Sequence, residues 1–177
     1  VAALMNAPAV LSRFSRLLID PNRPLDSETL FRENADGKTV HLNESLLEAE
    51  RRRRIDRFYH PYHAAVSSMV RRSRCDTVFS IHTFTDNYEG DTRVLELGVL
   101  FDEDEEPAHR LIRHLEEHGF HVLANEPWSG KAGLAHSSVL HAKEFGDCAL
   151  EIEARQDLIV DEVFAARLAE AVASFFA

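Results

Sequence analysis

Residues 149–155, with the sequence ALEIEAR, carry the pattern on which the fold assignment rests. Apolar and polar side chains alternate along this stretch, which is typical of a β-strand with two different faces. Glu151, Glu153 and Arg155 point to one face, and the apolar residues between them point to the other. Two carboxylates and a guanidinium are costly to bury without partners. The strand therefore has an apolar face for a core, and a second face that is either solvated or turned toward a polar site.

The rest of the chain alternates between strands and helices. Short apolar runs bounded by turn residues predict the strands, Asp36-Gly37 predicts a turn, and longer segments with apolar residues at helical spacing predict the helices. Strands separated by helices indicate an α/β layer architecture, and we expect one domain over residues 1–177. The predicted strands are 10–19, 77–83, 94–101, 120–124 and 149–154, and the predicted helices begin near residue 45, span 105–118 and lie along 164–175.

Composition and charge narrow the class of protein. The 177 residues include 30 acidic and 20 basic side chains, which gives a formal net charge of -10. That balance argues against nucleic acid or an anionic membrane as the main partner. No apolar run approaches the roughly 18 residues of a membrane span. The 2 cysteines form no disulfide framework and fit a reducing compartment, so we expect a cytoplasmic protein.

The basic run Arg51–Arg54 is the feature most typical of a nucleic-acid patch. It lies in a long helical pattern, which we expect to be interrupted or restarted at Pro61. Ser45-Leu46-Leu47-Glu48 has the form of a capping box at the start of this helix. Glu48 and Glu50 each precede an arginine of the run by four residues, which is the favourable order for ion pairs on a helix. A solvated helix face therefore explains the run better than a nucleic-acid contact.

Polar residues collect at the ends of the predicted strands, where ligands bind in open α/β sheets. The stretch RLLIDPNR, residues 16–23, ends a predicted strand with an acid, a proline, an amide and an arginine. Arg23 and Arg155 are candidate anchors for an anionic substrate, because a guanidinium forms two hydrogen bonds with a carboxylate. His82 lies at the end of the strand over 77–83. A histidine there can ligate zinc while a nearby glutamate activates a water molecule.

Five segments together resemble the N-formylglutamate amidohydrolase family: FSRLLIDPNRP, RFYHPYHAAV, SIHTFT, VLANEPWSGK and LEIEARQDLI. They occur in the order typical of the family and extend over residues 12–160. The family is similar to zinc carboxypeptidases and aspartoacylases, so the resemblance implies a three-layer αβα fold with a mixed central sheet, also described as phosphorylase/hydrolase-like. It implies zinc as the cofactor and hydrolysis of the N-acyl (formyl) amide bond of an acidic amino acid such as N-formyl-L-glutamate. The expected partner is a small anionic N-acyl amino acid.

The resemblance assigns substrate-binding roles to the segment around residue 20. Asn22 and Arg23 match the pair that grips the substrate carboxylate in the aspartoacylase-like relatives. Asp20 would orient this loop, and Arg16 would add a second positive contact to the substrate.

The resemblance also assigns the catalytic residues. His82 matches a zinc-ligating histidine that follows a strand. Glu153 is the candidate general base, which takes a proton from the attacking water, and Glu151 is the alternative base. Arg155 matches the arginine of the same motif and would hold the base or the substrate.

Other polar residues have two interpretations each. His60 and His63 have a spacing compatible with metal ligation, although aromatic packing and a helix start at Pro61 explain the motif better. His141 either lines the site or has only a structural role. The loop over 125–128 either shapes the mouth of a pocket or is an ordinary surface loop.

The chain departs from the family pattern at its start. Family members carry a further histidine and an acidic residue as zinc ligands ahead of the point where this sequence begins, and a catalytic zinc normally has three protein ligands. We therefore expect the sequence to be a portion of a longer protein, lacking an N-terminal strand and helix. Two functions are compatible with its residues. One is a zinc-dependent amidohydrolase, and the other is a non-catalytic binding protein for an anionic amino-acid-like ligand.

Overall fold

The computed structural model describes residues 1–73 and 75–177. Its strands form a four-stranded sheet and two short hairpins. No helix in these two ranges is long and apolar enough to cross a lipid bilayer. The strands are β1 (Asn34–Ala35), β2 (Lys38–Thr39), β3 (Thr77–Phe84), β4 (Asn87–Tyr88), β5 (Asp91–Thr92), β6 (Leu97–Leu100), β7 (Val122–Ala124) and β8 (Cys148–Arg155), and the α-helices are α1 (Ala2–Met5), α2 (Glu48–Arg54), α3 (His60–Ser73), α4 (Glu105–Glu117), α5 (His136–Phe145), α6 (Gln156–Ile159) and α7 (Glu162–Phe175).

The central sheet has the strand order β3-β8-β6-β7. β8 runs parallel to β3 and antiparallel to β6, and β6 runs parallel to β7. The expected mixed α/β sheet is therefore confirmed, with the ALEIEAR strand at an inner position. The register places Glu153 beside His82 of β3 on one side and beside Gly98 of β6 on the other. Residues paired across strands point to the same face of the sheet, so this register decides which side chains share the polar face.

The apolar face of β8 belongs to the main hydrophobic core. Leu150, Ile152 and Ala154 are almost fully buried there. They pack against α4 and α7, where Leu115 and Val172 are among the buried residues. Complete burial of a large aliphatic side chain contributes about 1.5–3 kcal/mol. This layer therefore holds β8 firmly while its other face carries polar groups.

Helices α5 and α3 form the layer on the polar face of the sheet. α5 packs on β8 and β3, and α3 packs on α5. Asn22 identifies the face, because its side chain bonds both Glu151 of β8 and the backbone N–H of Ser137 in α5. The sequence does not predict α5, whose buried side includes Ser137, Ser138 and His141. Polar residues on the buried side hide the apolar spacing by which such a helix is recognised.

Residues 10–19 form no strand, so that prediction is wrong. The segment is irregular, and its apolar side chains pack on helices rather than in a sheet. The Phe14 and Phe58 rings lie 5.3 Å apart, and Ile19 is fully buried against Leu30 and its neighbours. Tertiary contacts therefore decide the conformation of this segment, and its local apolar content does not.

The two hairpins have similar turns. β1 and β2 are joined at Asp36-Gly37, with φ values of 50° and 67°, and the turn predicted there is confirmed. β4 and β5 are joined at Glu89-Gly90, with φ values of 54° and 89°. Glycine favours this left-handed region because it has no Cβ. The Glu89 N–H donates to Asp36 Oδ1 at 2.9 Å, which links one hairpin to the other.

The long helix begins later than the sequence predicts. Ser45 has a positive φ of 50° and does not cap the helix, so the predicted capping box is wrong and α2 begins after Leu47. The expected interruption near Pro61 is a single π-helical turn over Ile55–Tyr59. Proline lacks an N–H donor, and its ring crowds the preceding turn of the helix. The wider π-helical turn relieves this crowding.

Arg54 departs from the solvated face predicted for the basic run. Its side chain is 8% exposed, whereas that of Arg53 is 65% exposed. Arg54 donates to Glu50 Oε1 at 2.9 Å, to Asn43 Oδ1 at 2.8 Å and to backbone carbonyls of two neighbouring segments. One arginine of the run is therefore a buried cross-link that ties preceding segments of the chain to α2.

Replacement of Arg54 should destabilise the fold far more than replacement of its neighbour. Arg54→Met leaves Asn43 Oδ1 and two backbone carbonyl oxygens without a donor, and Glu50 keeps only Arg53 as its partner. We therefore expect the free energy of unfolding to fall by about 3 kcal/mol. Arg53→Met removes an exposed guanidinium and should change stability little. Urea unfolding followed by circular dichroism measures both variants. Equal losses would contradict the buried role of Arg54.

Candidate active site

Three of the predicted site residues meet on the polar face of the sheet. Glu151 and Glu153 come from β8, and His82 comes from the neighbouring strand β3. His82 Nε2 lies 3.6 Å from Glu151 Oε2. Each residue offers one ligand atom, and these atoms lie within 4.8 Å of one another. The alternation along β8 and its parallel register with β3 produce this cluster.

Burial dominates the electrostatics of the two carboxyls. Glu151 is fully buried, and burial raises its pKa to about 8, with a further increase from the nearby Glu153. Burial also raises the pKa of Glu153 to about 7. The charges of Arg16 and Arg23 oppose both pKa shifts. Two adjacent carboxyls with raised pKa values hold a proton near neutral pH, which suits them to exchange protons with a substrate.

His82 is held in its neutral form. Burial lowers its pKa to about 4, and the charges of Arg16 and Arg23 also lower it. Its contact with Glu151 is therefore not an ion pair at neutral pH, because the imidazole is uncharged and the pKa of the carboxyl is raised. A neutral imidazole keeps a lone pair, and this is the form that binds a metal ion.

The loop over residues 20–23 is folded around Asp20. Arg16 Nη2 donates to Asp20 Oδ2 at 2.6 Å, and the Asn22 N–H donates to Asp20 Oδ1 at 3.0 Å. Asp20 is buried, so these two hydrogen bonds satisfy a carboxylate that would be costly to bury alone. The contacts agree with an orienting role for Asp20, and they direct Arg16 toward the loop.

The Asn22 side chain joins this loop to the carboxyl pair. Its Nδ2 lies 3.4 Å from both carboxylate oxygens of Glu151 and donates to Leu134 O at 3.1 Å. Its Oδ1 accepts a hydrogen bond from the Ser137 N–H at 2.8 Å. The amide therefore positions Glu151 and the start of α5. Its contact with substrate stays a prediction.

Arg23 has no acidic partner in the part of the chain that the structure describes. Its Nη1 donates to Asn22 O at 2.7 Å, and its Nε donates to Thr29 Oγ1 at 3.3 Å. Burial lowers the pKa of its guanidinium; the charge of Asp20 opposes this shift, and the charge of Arg16 adds to it. A carboxylate from a ligand would compensate a positive charge in this position.

Arg155 lies outside the carboxyl cluster. Its Nε donates to Asp157 Oδ1 at 2.7 Å, and its Nη1 donates to Val94 O at 3.0 Å. Within the described residues it forms no hydrogen bond with Glu151 or Glu153. Its guanidinium braces the segment before β6, and its predicted role toward the base or the substrate stays a prediction.

The loop over residues 125–128 lies beside Glu153. Asn125 anchors this loop to β6 through backbone and side-chain hydrogen bonds. A Cβ on Gly98 would lie 1.7 Å from the Glu126 carbonyl oxygen, so only glycine permits this close approach. Gly98 is the register partner of Glu153, and the contact therefore favours a loop that lines the site. A glycine inside an apolar strand is the sequence signal that could have identified this position.

His63 and His141 form a separate buried pair between α3 and α5. His63 Nδ1 lies 2.8 Å from His141 Nε2, and His141 Nδ1 lies 3.0 Å from Ser67 Oγ. Ser67 also donates to Glu144 Oε2 at 2.7 Å. These hydrogen bonds connect the two helices and favour the structural interpretation of both histidines. His60, whose side chain is 56% exposed, lies outside the pair.

Tyr59 connects this helical layer to the loop that carries Arg23. Its hydroxyl donates to Arg23 O at 2.9 Å and lies 3.2 Å from His136 Nε2. In the sequence Tyr59 is only one of several apolar positions at helical spacing, and no local signal distinguishes it. In the structure the Tyr59 hydroxyl also holds the backbone of the loop at Arg23.

The buried histidine pair should make stability sensitive to acid. Burial lowers the pKa of His63 to about 4, and the neighbouring His141 and His136 also lower it, whereas an unfolded histidine titrates near 6.5. Between these two values the unfolded chain binds more protons than the folded chain. The contribution of His63 to stability is therefore lost as the pH falls from 6.5 toward 4.

Replacing His63 should reduce this acid sensitivity. In His63→Gln, the slope of the free energy of unfolding against pH should fall by up to about 1.4 kcal/mol per pH unit across that range. His60→Gln changes an exposed histidine of the same helix and should keep the wild-type slope. Urea unfolding at a series of pH values gives the slopes. An unchanged slope in His63→Gln would show that this residue is not the acid-sensitive group.

Comparisons with known proteins bear on the family of the chain. The family model described as N-formylglutamate amidohydrolase matches residues 1–160. A comparison with curated proteins found no match.

Two solved structures are similar to this one. The crystal structure of gene product Atu2144 from Agrobacterium tumefaciens matches with a TM-score of 0.83 and 32% sequence identity, over 92% of this chain and 66% of that chain. The present chain thus spans about two thirds of the Agrobacterium protein. The N-formylglutamate amidohydrolase from Ralstonia eutropha JMP134 matches with a TM-score of 0.67 and 24% identity, over 99% of this chain and 78% of that chain. At that identity the second match shows the fold alone.

Proposed function

The chain belongs to the N-formylglutamate amidohydrolase family, and from this we propose that it hydrolyses the formyl amide bond of N-formyl-L-glutamate or a similar N-acyl acidic amino acid. The observation that carries the proposal is the buried carboxyl pair of Glu151 and Glu153, which lies beside His82 and close to Arg23. Amide hydrolysis needs a group that moves protons, and an acidic substrate needs a cation to bind it. The carboxyl pair supplies the proton-moving group, and Arg23 supplies the cation.

The donor atoms of the cluster fit a zinc ion. Zinc accepts imidazole nitrogen and carboxylate oxygen, and the three candidate atoms lie within 4.8 Å of one another. Glu153 Oε2 is buried without a hydrogen-bond partner in the described residues, which is costly for a carboxylate unless a cation is near. In this proposal His82 would ligate the ion, and Glu153 would lie beside it with its free oxygen. Zinc would supply Lewis acidity toward the acyl carbonyl oxygen.

Glu153 is the general base in this proposal. Its Oε2 is free of protein hydrogen bonds in the described residues, and its pKa near 7 allows it to accept a proton from the attacking water and return one to the leaving amine. Glu151 accepts the Asn22 amide on both oxygens, so it is better held than Glu153 and less open to a reactant. The two carboxyls therefore have different environments although they occupy the same strand.

Arg23 is the substrate anchor in this proposal. Its backbone position is set by Tyr59 and by the hydrogen bonds within the loop around Asp20. A substrate carboxylate bound by Arg23 would lie close to Glu151, because the Asn22 side chain connects the loop to the Glu151 carboxyl. Binding at a fixed anchor places the scissile bond relative to the base before the reaction begins.

Release of formate from N-formyl-L-glutamate by the zinc-supplied protein tests the reaction directly. We expect turnover that depends on added zinc and is lost with a chelator. Binding of N-formyl-L-glutamate without turnover in the presence of zinc would instead favour a non-catalytic binding protein.

Glu153→Gln should separate chemistry from binding. The substitution nearly preserves shape and removes the basic oxygen, so we expect turnover to fall by about 10²-fold or more with little change in substrate affinity. Glu151→Gln should cost less turnover and serves as the matched comparison on the same strand. Steady-state kinetics and calorimetry measure the two effects. A larger loss in Glu151→Gln would transfer the base role to that residue.

His82→Ala should lower bound zinc together with turnover, because it removes a ligand of the proposed site. His60→Ala removes an exposed imidazole from α3 and should leave both quantities at the wild-type level. Metal content measured by plasma emission spectroscopy after dialysis compares the variants. Full zinc occupancy in His82→Ala would show that His82 is not a ligand, whatever the rate.

A further inference from the structure

Arg93 is a guanidinium held between aromatic rings. It lies in the segment that joins β5 to β6, and its Cζ lies 4.8 Å from the centre of the Trp128 ring and 5.3 Å from that of Tyr88. Within the described residues it forms no ion pair with a carboxylate. Its one side-chain hydrogen bond there, to Thr85 O, is long at 3.5 Å. In a chain with 30 acidic and 20 basic residues, an arginine without an acidic partner is a candidate ligand-binding group.

The chain path places Arg93 beside the carboxyl cluster. Trp128 belongs to the loop whose Glu126 carbonyl oxygen covers Gly98, and Gly98 is the register partner of Glu153. Arg93 stacks on this loop and is therefore on the Glu153 side of the site. The electrostatics agree, because the charge of Arg93 is one of those that lower the pKa of Glu153.

The surrounding residues hold the guanidinium in place. The Tyr88 and Trp128 rings meet edge to face with centres 6.4 Å apart. Arg32 Nη1 donates to the Tyr88 hydroxyl at 3.2 Å, which also holds this ring in place. Aromatic faces stack on the plane of a guanidinium and leave the N–H groups at its edge available for a planar acceptor such as a carboxylate. A group ordered in advance binds a ligand with a smaller entropic cost.

We propose that Arg93 binds the side-chain carboxylate of a dicarboxylic substrate, while Arg23 binds the carboxylate next to the scissile amide. This inference rests on the proposed function and adds the group that selects an acidic side chain. The two guanidinium groups have different positions: Arg23 is joined to Glu151 through Asn22, and Arg93 stacks on the loop beside Glu153. A substrate with two carboxylates can contact both, and a substrate with one cannot.

Two ligands of equal size test the assignment. N-formyl-L-glutamate and N-formyl-L-glutamine differ only in that the side chain is a carboxylate in the first and a neutral amide in the second. We expect the wild-type protein to bind the glutamate compound at least about 10-fold more tightly, which is the scale of a charge-assisted hydrogen bond. In Arg93→Met the glutamate compound should bind about 10-fold more weakly, and the affinity for the glutamine compound should stay within about 2-fold.

Two further variants give the assay its controls. Arg23→Met removes the contact that both compounds share, so it should weaken both by similar factors and preserve the preference. Arg110→Met removes a guanidinium that pairs with Glu106 on an exposed side of α4 and should change neither affinity. A purely structural role of Arg93 in the aromatic wall predicts equal losses for both compounds in Arg93→Met, and this result would overturn the inference.

Calorimetry with a chelator present keeps binding separate from turnover. A preference for the glutamate compound that disappears in Arg93→Met supports the inference even if the protein hydrolyses neither compound, which would refute only the proposed function. Hydrolysis of both compounds with no preference in the wild type would refute the inference and leave the proposed amidohydrolase activity in place. An unchanged preference in Arg93→Met would also refute it.

Discussion

The burial of two carboxyls side by side on one strand is the constraint that organises the structure. Glu151 and Glu153 cannot both be ionised in a closed, uncompensated environment, so the fold surrounds them with an amide donor and guanidinium groups. The loop over 20–23 and the start of α5 are held together by Asn22, which also contacts Glu151 directly. The apolar face of the same strand anchors the arrangement, because its residues are part of the main core.

The central features of the sheet follow from local patterns in the sequence. Alternation over 149–155 identifies both faces of β8, and the apolar strand over 77–83 places His82 near its end. Parallel neighbours then bring His82 and Glu153 to the same register position. The turn at Asp36-Gly37 is equally local, since its conformation depends on two residues. The faces of β8, the strand that carries His82 and the turn require no knowledge of distant contacts, whereas the pairing of β3 with β8 does.

Other features depend on distant contacts and leave little local trace. Residues 10–19 have strand-like apolar content but pack on helices, and α5 buries serines and a histidine where a helix usually buries aliphatic residues. Arg54 resembles its exposed neighbours in sequence, and only its partners in preceding segments of the chain explain its burial. The position of the Arg93 guanidinium likewise depends on its contact with the Trp128 ring, which lies 35 positions later in the sequence. Such residues are recognised only after the chain has been folded.

The hydrogen bonds of Asn22 have a consequence for the timing of events in the site. One side chain bridges the loop, the carboxyl of Glu151 and the first turn of α5, so the position of the loop is coupled to the hydrogen bonds of the other two parts. If Arg23 binds the substrate as proposed, an outward swing of the loop that releases the substrate also withdraws the amide donor from Glu151. The proton affinity of that carboxyl then rises, because the donor had favoured its charged form. Under the proposed mechanism, departure of the ligand and uptake of a proton by Glu151 would therefore result from the same displacement of the loop.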